Sequence, residues 1–232
     1  MFSQARDRAL ELDAQDPLRS FRSRFVIQDP DLIYLDGNSL GRLPTGVAER
    51  MERAVQGDWG TDLILSWNRG WWETPQRIGD LLGSVLGAAP GQVIVSDQTS
   101  LNLFKLATAA LRLRPDRPRI VSDTLNFPSD LYILQGIVDQ LGNKHEMVRI
   151  GSTDGDITPD LEALGAAIDG STALVTLSHV TFKSGYRYDM QKITRLAHEA
   201  GALVLWDLSH SVGAVPIALD ECDADLAIGC TY

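Results

Sequence analysis

Cysteine is scarce in this sequence, with Cys222 and Cys230 the only two among 232 residues. Their spacing fits no metal-binding pattern, and two cysteines cannot form the disulfide framework of a small secreted protein, so we expect no metal and a reducing cytoplasm. Long apolar runs are also absent. None reaches the roughly 20 residues that span a bilayer, and residues 1–18 lack the apolar centre of a signal peptide. We therefore expect no membrane partner.

Positive charge is in the minority, with 21 lysine and arginine residues against 31 aspartate and glutamate residues and a net charge of −10. An acidic chain is poorly suited to nucleic acid, so we expect no nucleic-acid partner. The glycine-rich loops that bind nucleotides, Gly-x-Gly-x-x-Gly and the Walker loop, are absent as well. The hydrophobic content of 44% and the length of the chain suffice for a sizeable globular core.

Apolar segments of strand length alternate with amphipathic helices from about residue 92 onwards. This order predicts βαβ units, right-handed crossovers and a mostly parallel sheet flanked by helices, which is an α/β fold. The expected strands are residues 32–35, 92–95, 119–122, 145–150, 173–177, 202–206 and a last one that begins at 224. The expected helices are residues 3–15, 44–56, 76–86, 101–111, 128–142, 159–168 and 190–200.

Two patterns place polar side chains where an α/β sheet binds ligands. Asp207 follows the apolar run 202–206, and the carboxyl ends of strands in an open parallel sheet face the ligand crevice. Thr99 and Ser100 precede the apolar helix at 101–111, whose first N–H groups and dipole favour an anion. Either hydroxyl could instead cap the helix, and capping and anion binding are compatible.

Four segments of the sequence closely resemble the kynureninase family, whose members are pyridoxal-phosphate (PLP) enzymes of the aspartate-aminotransferase fold. They are Asp-Gly-Asn-Ser-Leu-Gly at 36–41, Phe-Pro-Ser-Asp at 127–130, Asp-Leu-Ser-His at 207–210 and Gly-Cys-Thr-Tyr at 229–232. The resemblance extends from about residue 33 to 232. It implies a PLP-dependent transferase-like fold (fold type I). Residues 1–45 would be an arm of the small domain, and 46–232 a large domain that is incomplete at its carboxyl end.

The resemblance also implies which residues bind the cofactor, pyridoxal 5'-phosphate. Asp207 would keep the pyridine nitrogen protonated, and Phe127 would stack on the ring. The cofactor phosphate would lie at the helix start, with Tyr232 as a further donor to it. Asp207 and Tyr232 are the implied catalytic residues, the tyrosine as a candidate proton donor in the reaction. The full implied cofactor set is Thr99, Ser100, Phe127, Asp130, Ser178, Asp207, His210 and Tyr232.

Ser39 and Trp71 are the implied substrate contacts. Ser39 lies in a turn cluster, and a turn residue that hydrogen-bonds locally is an equally good interpretation. Trp71 belongs to a group of tryptophans between residues 59 and 72, and aromatic clusters more often serve packing. His179 follows a strand as well, but it has no counterpart in the family and is interpreted as structural.

The implied reaction is hydrolytic cleavage of the Cβ–Cγ bond of L-kynurenine or 3-hydroxykynurenine. The products would be anthranilate or 3-hydroxyanthranilate and L-alanine, in tryptophan catabolism and NAD biosynthesis. A homodimer is also implied. The family's cofactor-bonding lysine comes directly after the position of Tyr232, and the four lysines of this chain all precede Asp207. We therefore expect the natural protein to continue with that lysine. The alternatives are a cysteine desulfurase or aminotransferase of the same fold, or a fragment without activity.

Overall fold

The computed structural model describes residues 2–142 and 144–231. These residues form two compact units, one extending to residue 72 and the other spanning 73–231. The division expected after residue 45 from the family resemblance stays a prediction. The candidate cofactor residues between 99 and 210 all lie in the second unit, so its sheet and helices position most of the candidate site.

The first unit is built mainly from short helical segments. They are α1 (Phe2–Gln15), a 3-10 helix (Arg19–Arg24), α2 (Val47–Arg53), a π-helix (Ala54–Asp62) and a second 3-10 helix (Leu63–Arg69). The helix expected from residue 44 starts later, because Pro44 forms an antiparallel bridge with Phe25. Gly46 precedes α2 with a φ of 83°, a left-handed conformation that glycine adopts without strain.

The expected strand at residues 32–35 is wrong. Ile33 and Leu35 expose 81% and 88% of their surface, so this apolar run has no sheet to cover it within its unit. The hydroxyl of Tyr34 donates to the carbonyl of Leu40 at 2.6 Å, which ties the segment to the turn that follows it. A short apolar run forms a strand only where a neighbouring strand is available to pair with it.

The second unit is a five-stranded sheet with the strand order β2-β1-β3-β4-β5, flanked by helices. Every pairing in it is parallel, which confirms the predicted α/β class. The strands are β1 (Arg119–Asp123), β2 (Glu146–Ile150), β3 (Thr172–Ser178), β4 (Leu203–Asp207) and β5 (Leu226–Ile228). The helices are α3 (Thr74–Leu86), α4 (Thr99–Leu113), α5 (Pro128–Gln140), α6 (Leu161–Ala167) and α7 (Met190–Glu199).

Apolar side chains on both faces of the sheet hold these helices. On one face Val121, Val204 and Trp206 pack with residues of α6 and α7. On the other face Ile120 and Leu205 pack with residues of α4 and α5. Successive strand residues point to opposite faces, so a strand covered on both sides needs a nearly continuous apolar run. The central strand β3 is buried along its whole length. The candidate site lies at the carboxyl end of this strand.

Residues 92–95, expected to be a strand, form no strand and lie outside the sheet. Their backbone bonds to α3 instead: the N–H of Val95 donates to the carbonyl of Pro75 at 3.2 Å. The amide of Gln76 donates to the carbonyl of Val93 at 2.9 Å. Gly79 allows this close approach, because a Cβ there would collide with the backbone of Val93 and Ile94. The sequence-based expectation failed because the hydrogen-bond partner is a helix surface.

Replacing Gly79 with alanine is expected to destabilise the second unit by about 1–3 kcal/mol through overpacking. Gly136→Ala is the matched control, since Gly136 lies inside α5 with open space around the added methyl group. Alanine there should stabilise the protein by up to about 1 kcal/mol. Urea unfolding of the full-length protein measures both changes. An unfolding midpoint of Gly79→Ala equal to that of the parent would show that residues 92–95 do not dock on α3.

Candidate active site

The carboxyl ends of three adjacent strands carry polar side chains. Asp123 ends β1, Ser178 ends β3 and Asp207 ends β4, and Ser178 and Asp207 are direct neighbours in the register of the two strands. The chain passes from β1 to β2 on one side and from β3 to β4 on the other, so the strand order reverses between β1 and β3. Ligands of open α/β sheets bind at such switch points. Oδ2 of Asp123 accepts a hydrogen bond from the hydroxyl of Tyr188, and its Oδ1 is buried without a partner among the described residues.

Asp207 is buried and firmly held by one of its two oxygens. Its Oδ1 accepts hydrogen bonds from the backbone N–H of Ser209 at 2.8 Å and from the Ser209 hydroxyl at 2.7 Å. Its Oδ2 faces the hydroxyl of Ser178 at 3.5 Å, a long and weak contact. The backbone carbonyl of Asp207 accepts from the N–H of His179 at 2.9 Å. The carboxylate is therefore fixed in orientation, with one oxygen only loosely engaged.

Asp130 brings a second carboxyl to the same place from the first turn of α5. It is buried, and among the described residues its Oδ2 has no hydrogen-bond partner. Burial raises the pKa of Asp130 to about 7, and the neighbouring Asp207 carboxyl adds to the rise. A buried carboxyl pair with an unsatisfied oxygen is costly on its own and is well suited to a cationic or hydrogen-donating ligand.

Three aromatic rings form a cluster that includes Phe127, three residues before Asp130, and His210, three residues after Asp207. The ring of Phe127 is 5.1 Å from that of Phe182 and 5.8 Å from that of His210, measured between centroids. Phe127 is the N-cap residue of α5 and is partly exposed, so its ring borders open space. The structure thus brings together the rings of Phe127 and His210, two residues of the implied cofactor set. Phe182 was missed, because no motif or period marks it.

Asn126 is a second residue that the sequence analysis passed over. Its amide oxygen accepts from the hydroxyl of Ser178 at 2.7 Å and from the backbone N–H of Phe127 at 2.8 Å. Its amide nitrogen donates to the hydroxyl of Ser122 at 3.1 Å. Asn126 therefore links the end of β1 to the end of β3. A buried asparagine next to a motif is the signal that could have identified it.

The helix expected from residue 101 already begins at Thr99, so Thr99 and Ser100 lie in the first turn of α4. The capping position itself falls to Gln98, whose side chain makes no capping hydrogen bond, so the simple N-cap interpretation of the two hydroxyls is wrong. Thr99 lines a cavity of about 960 Å³ that also reaches Leu208 and Gly229. Among the described residues, no hydrogen bond joins this helix start to the carboxyl pair.

The substrate candidates lie in the first unit and are engaged locally. The hydroxyl of Ser39 donates to Asp36 at 2.8 Å, as the turn interpretation predicts. The indole nitrogen of Trp71 donates to Asp58 at 3.3 Å, and its ring meets that of Trp67 edge to face at 6.4 Å. Their contact with a substrate stays a prediction. Tyr232 lies outside the described residues.

His179 is buried, and its ring packs against Trp206 at a centroid distance of 5.9 Å. Burial and the nearby Arg187 lower its pKa, so the neutral ring is favoured.

Within the ranges 2–142 and 144–231 no cluster of three or more histidine, cysteine or acidic side chains has the arrangement of a metal site. Of the helices described, none is both long and apolar enough to cross a membrane.

Comparison with known proteins defines the class to which this sheet and its polar edge belong. The family model for class-V aminotransferases matches residues 80–230. That range covers the sheet, the helices α4 to α7, part of α3 and the carboxyl pair. The chain belongs to the aminotransferase class-V family.

The curated relatives are more specific. A kynureninase from Pseudomonas fluorescens is 46% identical over 98% of this chain and 54% of its own length. A kynureninase from Burkholderia pseudomallei is 45% identical with the same coverage. These relatives confirm the family resemblance seen in the sequence. The chain spans about half the length of the curated relatives it matches.

Solved structures agree on the fold. A cysteine desulfurase from Thermococcus onnurineus NA1 has a TM-score of 0.68 at 22% identity, over 84% of this chain and 49% of its own. A NifS-like protein has a TM-score of 0.71 at 16% identity, over 84% of this chain and 54% of its own. At these identities the likeness supports the fold alone.

Replacing Asp130 with asparagine is expected to stabilise the cofactor-free protein increasingly as the pH rises from 4 to 7. Burial raises the pKa of Asp130 from the usual 3.8 to about 7. In that window the folded state therefore binds more protons than the unfolded state, and the parent loses stability as the pH rises. The increase in the free energy of unfolding should reach at most about 4 kcal/mol above pH 7. Urea unfolding of both proteins between pH 4 and 8 measures it.

Asp154→Asn is the control for this pH dependence. Hydrogen bonds from Ser152 and Thr158 lower the pKa of the exposed Asp154. Its carboxylate contributes stability above the unfolded pKa, so its removal should lower stability evenly across pH 4–8. The account would be contradicted if the free energies of unfolding of Asp130→Asn and the parent differed by the same amount at every pH, because Asp130 would then not be a buried carboxyl that titrates.

Proposed function

We propose that this protein cleaves L-kynurenine or 3-hydroxykynurenine hydrolytically, as part of tryptophan catabolism. The products would be L-alanine and anthranilate or 3-hydroxyanthranilate. One observation carries the proposal: a buried carboxyl pair, Asp130 and Asp207, lies at the carboxyl edge of the sheet, and the partly exposed Phe127 is the N-cap residue of the helix that carries Asp130. The kynureninase relatives at 45–46% identity supply the reaction class.

The residues of this edge fit pyridoxal phosphate. The cofactor's pyridinium ring offers a cationic N–H, and Asp207 is a buried carboxylate with a loosely engaged oxygen. Asp130 adds an unsatisfied buried oxygen within the described residues. The ring of Phe127 would cover one face of the cofactor, and its contacts with Phe182 and His210 hold it in place.

The start of α4 would hold the cofactor phosphate. The helix has 15 residues, and its first N–H groups and dipole favour a negative charge. Thr99 and Ser100 add hydroxyl donors in that first turn, and neither serves as the capping residue. We include Tyr232 as a further donor on the basis of the family resemblance.

When bound, pyridoxal phosphate supplies an electron sink for the bond cleavage. The chain's own contribution is electrostatic. Asp207 would hold a proton on the ring nitrogen, because opposite charges in a buried place favour each other's charged forms. Asp130, with a pKa raised to about 7 by burial, would accept or release a proton near neutral pH. Ser39 and Trp71 would contact the substrate, and Tyr232 would donate a proton to the product.

We further propose a homodimer in the cytoplasm. Large apolar side chains are exposed in the first unit, with Leu35 at 88% and Trp72 at 73%. Exposed apolar surface of this kind marks association sites. Cys222 and Cys230 are free thiols, which suits a reducing compartment.

A second candidate is a cysteine desulfurase of the same fold, an alternative that the sequence analysis left open. An aminotransferase of the same fold and a chain without activity are further alternatives.

Full-length protein supplied with pyridoxal phosphate should release anthranilate and alanine from kynurenine. Sulfide release from cysteine, or amino transfer to a keto acid, in the absence of kynurenine cleavage would refute the proposal. Parallel assays with 3-hydroxykynurenine determine the preferred substrate.

Asp207→Ala is expected to reduce kynurenine cleavage by at least about a thousandfold while the protein stays folded, because a buried charge opposite the ring would be lost. Asp139→Ala is the control, since Asp139 is an exposed carboxylate near the end of α5. Its activity should match that of the parent. Steady-state rates and thermal unfolding measure both variants, and an Asp207→Ala variant that keeps most of the parent rate removes Asp207 from the site.

Phe127→Ala is expected to weaken pyridoxal-phosphate binding about fivefold or more, because ring stacking contributes about 1 kcal/mol beyond apolar burial. Tyr132→Ala is the control, since Tyr132 is an exposed aromatic residue on the same helix. Absorbance titration of the cofactor-free protein gives the dissociation constants. Equal constants for Phe127→Ala and the parent would mean that the ring of Phe127 does not stack on the cofactor.

A further inference from the structure

The Asn126 side chain uses all of its hydrogen-bonding capacity, although it is almost completely buried. Its Oδ1 accepts from the Ser178 hydroxyl at 2.7 Å and from the Phe127 N–H at 2.8 Å. Its Nδ2 donates to the Ser122 hydroxyl at 3.1 Å and to the Thr176 carbonyl at 3.5 Å. Four hydrogen bonds thus hold the amide in place.

These contacts fix which way the amide faces. The backbone N–H of Phe127 can only donate, so the atom of Asn126 that faces it must be the oxygen. The Ser178 hydroxyl meets that same oxygen and must therefore donate to it. A serine hydroxyl has one hydrogen, so it cannot also donate to Asp207.

The second partner of Ser178 is the oxygen of Asp207 that the site leaves loosely engaged. Oδ1 of Asp207 is occupied by Ser209, whereas Oδ2 has the Ser178 hydroxyl at 3.5 Å. The Asp130 carboxyl also lies within hydrogen-bond reach of the Asp207 carboxyl. The neighbouring Asp130 can donate only when it is protonated. The Ser178 hydrogen is therefore the donor that could permanently occupy Oδ2.

We propose that Asn126 is a positioning residue that draws the Ser178 hydrogen away from Asp207 and so keeps Oδ2 free for the N–H of a cationic ring. The inference rests on the proposed function, because pyridoxal phosphate supplies that ring. In Asn126→Ala the Ser178 hydroxyl is released, turns to Oδ2 and competes with the cofactor. Removing the competing hydroxyl as well, in Asn126→Ala/Ser178→Ala, clears Oδ2 again.

The test is the dissociation constant of pyridoxal phosphate, measured by absorbance titration of the full-length cofactor-free protein. Asn126→Ala should bind about tenfold more weakly, the loss expected for a weakened charge-assisted hydrogen bond. The double variant should bind at least about threefold more tightly than Asn126→Ala, although it also lacks the Ser178 hydroxyl of the implied cofactor set. A purely structural role of Asn126 predicts that the double variant binds no better than Asn126→Ala, and that outcome overturns the inference.

Ser122→Ala is the matched control. It removes an acceptor of the Asn126 amide nitrogen and leaves the contacts of the oxygen in place. Its dissociation constant should stay within about twofold of the parent, because the Ser178 hydrogen remains engaged. A loss as large as that of Asn126→Ala would assign the effect to general packing and overturn the inference.

A crystal structure of the parent with pyridoxal phosphate provides a readout that does not depend on the folding of a variant. The ring nitrogen should lie on Oδ2 of Asp207, with Ser178 bonded to Asn126. A ring nitrogen on Oδ1, or Ser178 bonded to Oδ2, overturns the inference alone. A parent protein that does not bind pyridoxal phosphate overturns the proposed function and the inference together.

Discussion

Two carboxyl groups buried side by side, Asp130 and Asp207, are the constraint on which the rest of this site depends. Removing carboxylates from water is unfavourable unless they are paired or hydrogen-bonded. Ser209 satisfies one oxygen of Asp207, and the burial that raises the pKa of Asp130 to about 7 lets that group stay neutral near neutral pH. A cationic ligand would offset the unfavourable burial of both carboxyl groups, so the site is suited to bind one.

The sheet makes this arrangement possible. Parallel strands bring the ends of β1, β3 and β4 to one edge, and apolar packing on both faces holds them there. Asn126 connects two of these strand ends and positions Phe127 at the same time. A single buried amide therefore links the backbone of Phe127 to Ser178, whose hydroxyl faces Asp207.

Local pattern and family resemblance predicted different parts of this structure. Periodicity predicted the βαβ order, and Asp207 followed from its place after an apolar run. The family motifs named Phe127 and His210 as separate cofactor contacts, and the contact between their rings is a finding of the structure. Residues 92–95 were misread because their hydrogen bonds go to α3. Phe182 was missed because ring contacts between distant segments leave no trace in spacing.

The state of the ring nitrogen tests the central claim most directly. Pyridoxal phosphate labelled with 15N at the ring position can be bound to the full-length protein and observed by solid-state NMR. If Asp207 faces that nitrogen from a buried position, the shift should be that of a protonated pyridinium at every pH from about 6 to 9, because the carboxylate raises the pKa of its partner. An unprotonated nitrogen across that range would contradict the account.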